Sequence, residues 1–593
     1  MILRKVFTGM SLLFLLLFFE NNAVCQGINN SSGYVVIPAT SYVYTQGYTA
    51  GASSSTSVSG NMFVSGDWTN NSGTITFTSG TVTFNGSSAQ EITGSDPTTF
   101  YNMTIAASAE VQIPETKTVN VDGTMTNSAG NSGLVIQSSA SGTGNFIHNT
   151  QNIAGTVKRY ITGNSSNKPY HVVSSPIDGA SFGSIWTSGD YNVYWYNEAN
   201  SSGNVDDGWT RISSGTLSNG KGYNIVSNYA NRTISFTGNL LVPADISSTI
   251  TVSYTSSGTA ASDGWNLIGN PYACGLNVPE FLSDNSANLE TANQAVYYWD
   301  NPSGDLDRGD YATRASGSGV VGGSAITPDA SMAVAQGFFI KVKSGVSSVS
   351  LAADQRIGYT GTQFFTPDPD EQLLRLSLIG PDNLYNELLF GFYPFTTDEL
   401  DPGYDVQKLR GNPLIAVYSL MPGYEEGFVI QSFSSITEEA KKLNIGYFGG
   451  QEGNYSFNIK EIENIDPSTE IFIEDREEKL FINLITNPNY SFYSRKGEFN
   501  ERFAIHINPV FNSIQKESIS NFRVFTVGNK ILLDNPKLQQ GKIVIHDILG
   551  KELFRSNLER IGSEIVETNL ASAYYLVSIL TDQETFTQKI YIQ

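Results

Sequence analysis

The chain has 593 residues, with 34 basic against 56 acidic side chains and a formal net charge of −22. That balance argues against nucleic acid as a partner and against attraction to an anionic membrane surface. The length is too great for one core and sets an expectation of about four domains, while abundant Gly (56), Tyr (30) and Phe (33) with only 15% charged residues favour β-structure over helical bundles.

Residues 1–25 read as a secretory signal peptide. Arg4 and Lys5 form its positive start and Met10–Phe19 its apolar core. Ala23 and Cys25 place small residues at −3 and −1 before a cut ahead of Gln26. A lipoprotein would keep Cys25 as the acylated residue, but Asn22-Ala23-Val24 fits that processing poorly, so simple removal is the expectation. No other stretch approaches the ~20 apolar residues of a spanning helix. Once the signal is gone Cys274 is the single cysteine, which leaves neither an intramolecular disulfide nor a cysteine-based metal site.

Residues 26–155 are rich in Ser, Thr, Gly and Asn, and Lys117 is their basic residue up to about Thr156. Polar and apolar residues alternate in Gly73-Thr-Ile-Thr-Phe77 and again in Gly80-Thr-Val-Thr-Phe84. Further short strands are predicted at Phe100–Ile105, Val111–Ile113 and Val119–Val121. Short strands about every ten residues, with β-branched and aromatic side chains to stack, predict a parallel β-solenoid. A Ser/Thr-rich β-sandwich, or a partly disordered entry before Ser59, are the alternatives. Asp67-Trp-Thr-Asn70, Thr83-Phe-Asn-Gly86 and Phe100-Tyr-Asn-Met-Thr-Ile105 resemble the stacking repeats of large Bacteroidetes surface proteins.

Residues 156–365 hold a duplication, with copies at about 156–245 and 246–365. Tyr170-His-Val-Val-Ser-Ser-Pro176 matches Trp265-Asn-Leu-Ile-Gly-Asn-Pro271, Val193-Tyr-Trp-Tyr-Asn197 matches Val296-Tyr-Tyr-Trp-Asp300, and Gly222-Tyr-Asn-Ile-Val226 matches Gly337-Phe-Phe-Ile-Lys341. Three matches in one order predict two similar β-sandwich-like units. Their aromatic residues are expected mainly in core and cross-strand packing, although exposed Trp and Tyr rows can stack on sugar rings. The Gly269-Asn270-Pro271 element resembles one common in exported Bacteroidetes proteins.

Residues 366–371 read as a linker, since Pro367-Asp-Pro-Asp-Glu371 discourages regular structure. Residues 372–510 are predicted to form another β-sandwich domain, with strands at Glu387–Phe392, Tyr455–Ile459, Glu470–Ile473 and Arg502–Ile507 and a turn or two of helix near Thr437–Leu443. Asp401-Pro-Gly-Tyr-Asp405, Ile471-Phe-Ile-Glu-Asp475 and Arg502-Phe-Ala-Ile-His506 resemble the β-sandwich that often precedes secretion sorting domains. Asn508–Ser520 is the expected junction and processing region.

Residues 520–593 read as a compact β-module of seven short runs, from Phe522–Val527 to Thr585–Ile592, separated by turns such as Asp547-Ile548-Leu549-Gly550. Val544-Ile-His-Asp547-Ile-Leu-Gly550-Lys551-Glu-Leu resembles the strand–turn–strand signature of type IX secretion system (Por secretion) sorting domains, type A. Leu570-Ala-Ser-Ala573-Tyr-Tyr575-Leu-Val-Ser-Ile579 looks like the next signature and Lys589-Ile-Tyr-Ile-Gln593 like the basic–apolar close. Ala573 departs from the Gly usual there, a residue suited to close approach or positive φ. The resemblance implies an Ig-like β-sandwich whose signature positions are Asp547, Gly550, Lys551, Tyr575 and Lys589. It also implies a partner, the type IX translocon, and a destination that is secreted or on the outer-membrane cell surface.

No catalytic constellation is assigned. His148, His171, His506 and His546 stand in no zinc-binding arrangement, and Cys274 has no evident His partner. Neither a nucleophile elbow nor a phosphate loop occurs. No cofactor is expected beyond calcium, for which Asp305, Asp307 and Asp310 offer hard oxygens in a Gly-containing loop; the plainer reading is a solvated acidic hairpin. The expectation is an all-β exported protein with an adhesive, glycan-binding or structural role. The alternative is an extracellular glycosidase or lyase with an unrecognised carboxylate site.

Overall fold

The computed structural model describes residues 17–18, 22–72, 74–162, 170–185, 191–200, 205–227, 231–258, 261–301, 308–323, 327–358, 372–509, 522–527, 530–535, 539–559, 563–568, 570–582 and 585–592. These residues are β-structure joined by loops and short helical turns, the longest helix being Val278–Asp284. The chain divides into two units: Met1–Glu371 with Leu384–Tyr418 and Gly423–Ser434, and Gln372–Asn383 with Ser419–Pro422 and Ser435–Gln593. The run 372–510 is therefore shared between them, and the linker 366–371 lies outside the described residues.

The first unit opens as a β-solenoid with three short strands per coil. Ser55–Val58, Asn61–Val64 and Trp68–Asn70 are followed one coil later by Ile75–Phe77, Thr81–Phe84 and Gln90–Thr93, each stacked in parallel on its counterpart. Loop lengths vary between coils: Ile75 pairs with Thr56, 19 residues back, whereas Asn145 pairs with Thr118, 27 back. Strand alternation turns every second side chain inward, so Met62, Val64, Val82, Phe84, Met103 and Ile105 are buried in stacked rows. Aromatic rings continue the stack, with Tyr48 on Trp68 at 4.1 Å and Phe100 edge-on to Trp68 at 5.1 Å. Buried amides tie coil to coil, Asn30 donating to Ser55 O and Asn70 to Pro97 O. The stretch before Ser59 is not a disordered entry but regular coil, because Tyr34–Ile37, Tyr42–Thr45 and Tyr48–Ala50 carry the same alternation. Of the leader-like residues only Leu17–Phe18 and Asn22–Cys25 are described, the latter as a strand parallel to Tyr42–Thr45.

The solenoid ends on Ala154–Ile161, which pairs in parallel with Leu134–Ile136 and, on its other side, antiparallel with Arg232–Asn239. That antiparallel strand covers the sheet edge. Two sheets of one design follow. Tyr170–Ser174, Gly222–Ser227, Tyr191–Tyr196 and Trp209–Ile212 make the first. Trp265–Gly269, Gly337–Lys341, Val296–Asp300 and Asp310–Arg314 make the second in the same order, with Gly319–Val320 added at its edge. One face of the first sheet joins the solenoid core through Val173, Val193, Tyr223 and Ile225. One face of the second packs Ile268, Val296, Phe338 and Ile340 with Phe281 and Leu282 of the helix, which Asn277 caps by accepting from Glu280 N. The remaining faces meet each other: a Cβ on Gly222 would stand 2.7 Å from Leu267 Cγ. Tyr385–Tyr393, parallel to Phe428–Ser434, completes the unit.

In the second unit Gln372–Ile379 pairs with Gly453–Glu463, which pairs with Asn489–Ser494. Gly497–Ile507 lies between Lys441–Gly449 and Ile471–Asp475. No helix forms near Thr437–Leu443. Lys441–Gly449 is a strand because Leu443, Ile445 and Tyr447 repeat every second residue and are buried together. The C-terminal module packs a three-stranded sheet (Arg523–Val527, Lys530–Asp534, Ser563–Glu567) and a four-stranded sheet (Glu552–Leu558, Gly541–Asp547, Ala573–Thr581, Thr585–Ile592) around Ile531, Leu533, Ile543, Ile545, Val577 and Ile579. Among the described residues no helix is long and apolar enough to cross a membrane.

Candidate functional site

Among the described residues, the first unit lines at least two cavities. One, of about 520 Å³, lies where Thr118 and Asn120 of the solenoid meet Asn277, Ser331 and Arg356. Its guanidinium is already engaged, donating to His148 O at 2.7 Å, Asn149 Oδ1 at 2.6 Å and Ala353 O at 3.2 Å. Arg356 thus ties a seam.

The other cavity, about 350 Å³, lies in the cleft between the two repeated sheets, within the size range of small-molecule sites. The first sheet contributes Tyr170, Tyr194, Trp209 and Asn224, and the second Trp299, Tyr311 and Phe339. Strand register explains the grouping, since directly opposed residues share a face. Asn224 opposes Val172 on one neighbouring strand and Tyr194 on the other, and Trp299 opposes Tyr311. The buried rings of Phe339 and Tyr311 form a floor. Trp209 and Tyr311 each meet Phe339 edge-on at 5.8 Å, and Trp299 meets Tyr311 at 5.2 Å. Tyr170, Tyr194, Trp209 and Trp299 are half-buried. Burial, and secondarily the neighbouring Tyr194, raises the Tyr170 phenol above its ordinary value, so it is protonated at neutral pH.

Trp299 is seated by two glycines. A Cβ on Gly411 would stand 2.8 Å from Trp299 Cζ3 and 2.9 Å from Tyr311 Cδ2, and one on Gly309 would run into the Trp299 ring. Gly411 is in turn fixed by its N–H, which donates to Asp310 Oδ1 at 2.8 Å. Two residues that line the cleft each bury a polar atom without a protein partner, Asn224 Oδ1 and Trp299 Nε1. Asn224 is only 9% exposed. No Asp, Glu, Lys or Arg is among the described lining residues, while the exposed Arg211 opposes Tyr194 on the next strand and so shares its face. Flat, half-buried aromatic rings around an open cavity are the chemistry of stacking.

Asp310 does not stand free in a loop. It is the first residue of a strand, fully buried, and its Oδ2 accepts from Lys408 Nζ at 3.0 Å and Asn386 Nδ2 at 2.7 Å. Asp305 and Asp307 lie outside the described residues, and no cluster of three His, Cys, Asp or Glu side chains gathers to hold a metal among those described. His506 bonds Glu474 at 2.9 Å, beside Lys442 and Arg476 on the same carboxylate.

The signature positions of the C-terminal module fall in one sheet. Asp547 ends a strand, and its Oδ1 accepts from Leu549 N and Lys551 N, both at 2.9 Å, closing a turn in which Gly550 has φ +86°. Tyr575 opposes Asp547 and donates to Ala571 O at 2.7 Å. Lys589 Nζ lies 4.4 Å from the Tyr574 ring centre. Ala573 is an ordinary strand residue opposite Ile592, so the backbone there does not require Gly. The turn leaves Ile548 and Leu549 exposed.

Sequence reasoning placed the aromatic strands but not the cleft. Tyr196, Trp265 and Tyr297 are buried packing residues as expected, whereas Tyr194 and Trp299 on the same strands face the cavity. One signal was available in the duplication, where Asn224 falls opposite Phe339 in the matched strands and so puts a polar residue at an otherwise apolar position.

No curated protein matches the chain. A family described as Domain of unknown function (DUF8693) matches residues 32–507, about four-fifths of the chain, taking in the solenoid, both repeated sheets and the cleft and stopping short of the C-terminal module. The chain belongs to that family.

Proposed function

We propose that the protein is exported through the type IX secretion system by its C-terminal module and, once secreted or on the cell surface, holds a glycan in the aromatic cleft. The single observation that carries the binding role is the convergence of Tyr170, Tyr194, Trp209 and Trp299 around one open cavity. Half-exposed rings offer sugar C–H faces a stacking surface at low entropic cost. Export is supported by the leader-like residues 1–25 and by the resemblance of the 541–592 strands to sorting domains. The family match carries no activity of its own.

A glycan array probed with the full chain tests the binding role. Retention of oligosaccharides by the wild type, lost in Trp209→Ala and Trp299→Ala, is the expected result. Equal binding by all three would remove the cleft from the proposal. Release of reducing ends from the bound polysaccharide would convert the reading to an enzyme.

A further inference from the structure

We propose that Lys408 and Asn386 become joined by an amide bond inside the folded first unit, in a reaction the chain carries out on itself with Asp310 as proton carrier. The cross-link is independent of the glycan reading.

The three side chains meet in the interior: Asp310 and Asn386 are 0% exposed and Lys408 8%. A single oxygen, Asp310 Oδ2, accepts from Lys408 Nζ at 3.0 Å and from Asn386 Nδ2 at 2.7 Å, which sets amine and amide side by side. Each is also anchored from behind. Asn386 lies on the strand Tyr385–Tyr393 and its Oδ1 accepts from Val417 N at 2.9 Å, while Lys408 N donates to Gly427 O at 2.9 Å. The second carboxylate oxygen accepts from Gly411 N at 2.8 Å. An ammonium carries three donors, and among the described residues the Lys408 side chain uses one, on Asp310. A buried charge with so few partners is costly, and conversion to a neutral amide removes that cost. A nucleophile, an acyl carbon and a shared carboxylate, all fixed by the fold, are the parts a transamidation requires.

The reaction balances within the triad. Lys408 Nζ passes a proton to Asp310 Oδ2, and its freed lone pair attacks Asn386 Cγ. Negative charge builds on Asn386 Oδ1, where the Val417 N–H already donates. Asp310 hands its proton to Nδ2, the Cγ–Nδ2 bond breaks and ammonia departs. Asp310 then takes the surplus proton from Nζ and passes it to the ammonia. An ammonium and a primary amide have become a secondary amide and an ammonium ion, with no oxidant, reductant or cofactor consumed. The product closes a covalent loop from 386 to 408. Both cysteines of the chain, Cys25 and Cys274, are free, so this bond would supply the kind of staple that secreted proteins commonly obtain from disulfides.

Mass spectrometry of the full chain, after denaturation and digestion, tests this. Glutamyl endoproteinase cuts after Glu387 and Glu399, between the two residues. A branched peptide joining Asn386 to Lys408, lighter by one ammonia than its two parts, is expected from most wild-type molecules. Lys408→Arg retains a cation but offers no amine, and is expected to give the two peptides separately and an intact mass without that loss. The wild type alone decides whether the bond exists, so a variant that fails to fold does not blunt the measurement. Wild-type protein, shown to be folded by circular dichroism, that yields Asn386 and Lys408 on separate unmodified peptides overturns the proposal. Loss of water, with Lys408 joined to Asp310, overturns the assignment of Asn386. A branched peptide formed undiminished in Asp310→Asn overturns the role given to Asp310.

Discussion

Lys408 Nζ lies 3.0 Å from Asp310 Oδ2, and the two side chains are 3% and 0% exposed. The same carboxylate holds Asn386 and the N–H of Gly411, so one buried charge pair fixes the loop that seats Trp299. Removing one partner leaves the other charge uncompensated, at a typical cost of about 3–5 kcal/mol. Lys408→Ala and Asp310→Ala are each expected to lower the denaturation midpoint markedly. The double substitution Asp310→Leu/Lys408→Met is expected to recover much of the loss. Tryptophan fluorescence during urea unfolding measures all three, and losses that simply add would show that the pair is not coupled.

Gly411 has no room for a side chain. Its added methyl would press on Trp299 and Tyr311 at under 3 Å, and crowding of that kind costs roughly 1–3 kcal/mol. Gly411→Ala is expected to shift Trp299 and to weaken glycan binding by about tenfold or more, with a smaller effect on the melting temperature than Asp310→Ala. Calorimetry and differential scanning fluorimetry on the same samples separate the two effects. Wild-type affinity in this variant would mean that the ring position is not critical.

Asp405 predicts a pH dependence. Its carboxyl is fully buried, with Oδ1 accepting from Ser432 N and Oγ and Oδ2 from Asp401 N. Burial outweighs those bonds and lifts the pKa to about 6. The folded state therefore holds this proton more tightly than the unfolded chain does. The stability it contributes is full below about pH 4 and is lost as pH rises through about 6. Asp405→Asn is expected to gain on the wild type across that window. Melting temperatures of both proteins from pH 4 to pH 7 test it, and a constant difference at every pH would contradict the assignment.

The C-terminal module makes a prediction about export. Fractionation of cells carrying full-length and Δ520–593 protein should find the truncated form in the periplasm, while unchanged export would defeat the sorting role. The turn at Asp547–Lys551 offers a finer probe. Gly550 at φ +86° tolerates a β-branched residue poorly, at a cost of about 1–2 kcal/mol, so Gly550→Val is expected to reduce both module stability and the exported fraction.

Much of the β-structure was legible in the sequence because a strand states its own period. Val82 and Phe84, or Ile543 and Ile545, mark an inward face by spacing alone, and Gly and Asn-Pro punctuation bounds the runs. The repeated Val193–Asn197 and Val296–Asp300 strands announced two related sheets, and those sheets share one strand order. Lys441–Gly449 was misread at its start because Thr437–Lys442 is polar and has no period of its own. That segment became a strand through its partner Gly497–Ile507. The cleft was not legible at all. Tyr194, Tyr196, Tyr297 and Trp299 look alike in sequence, and whether a ring is core or wall depends on what stands opposite its face. Asp310 reads as a loop acid until Lys408, 98 residues later, is brought against it. Local alternation, a property of the strand, determined the elements, whereas burial and pairing, properties of the neighbour, were decided only when the chain closed on itself.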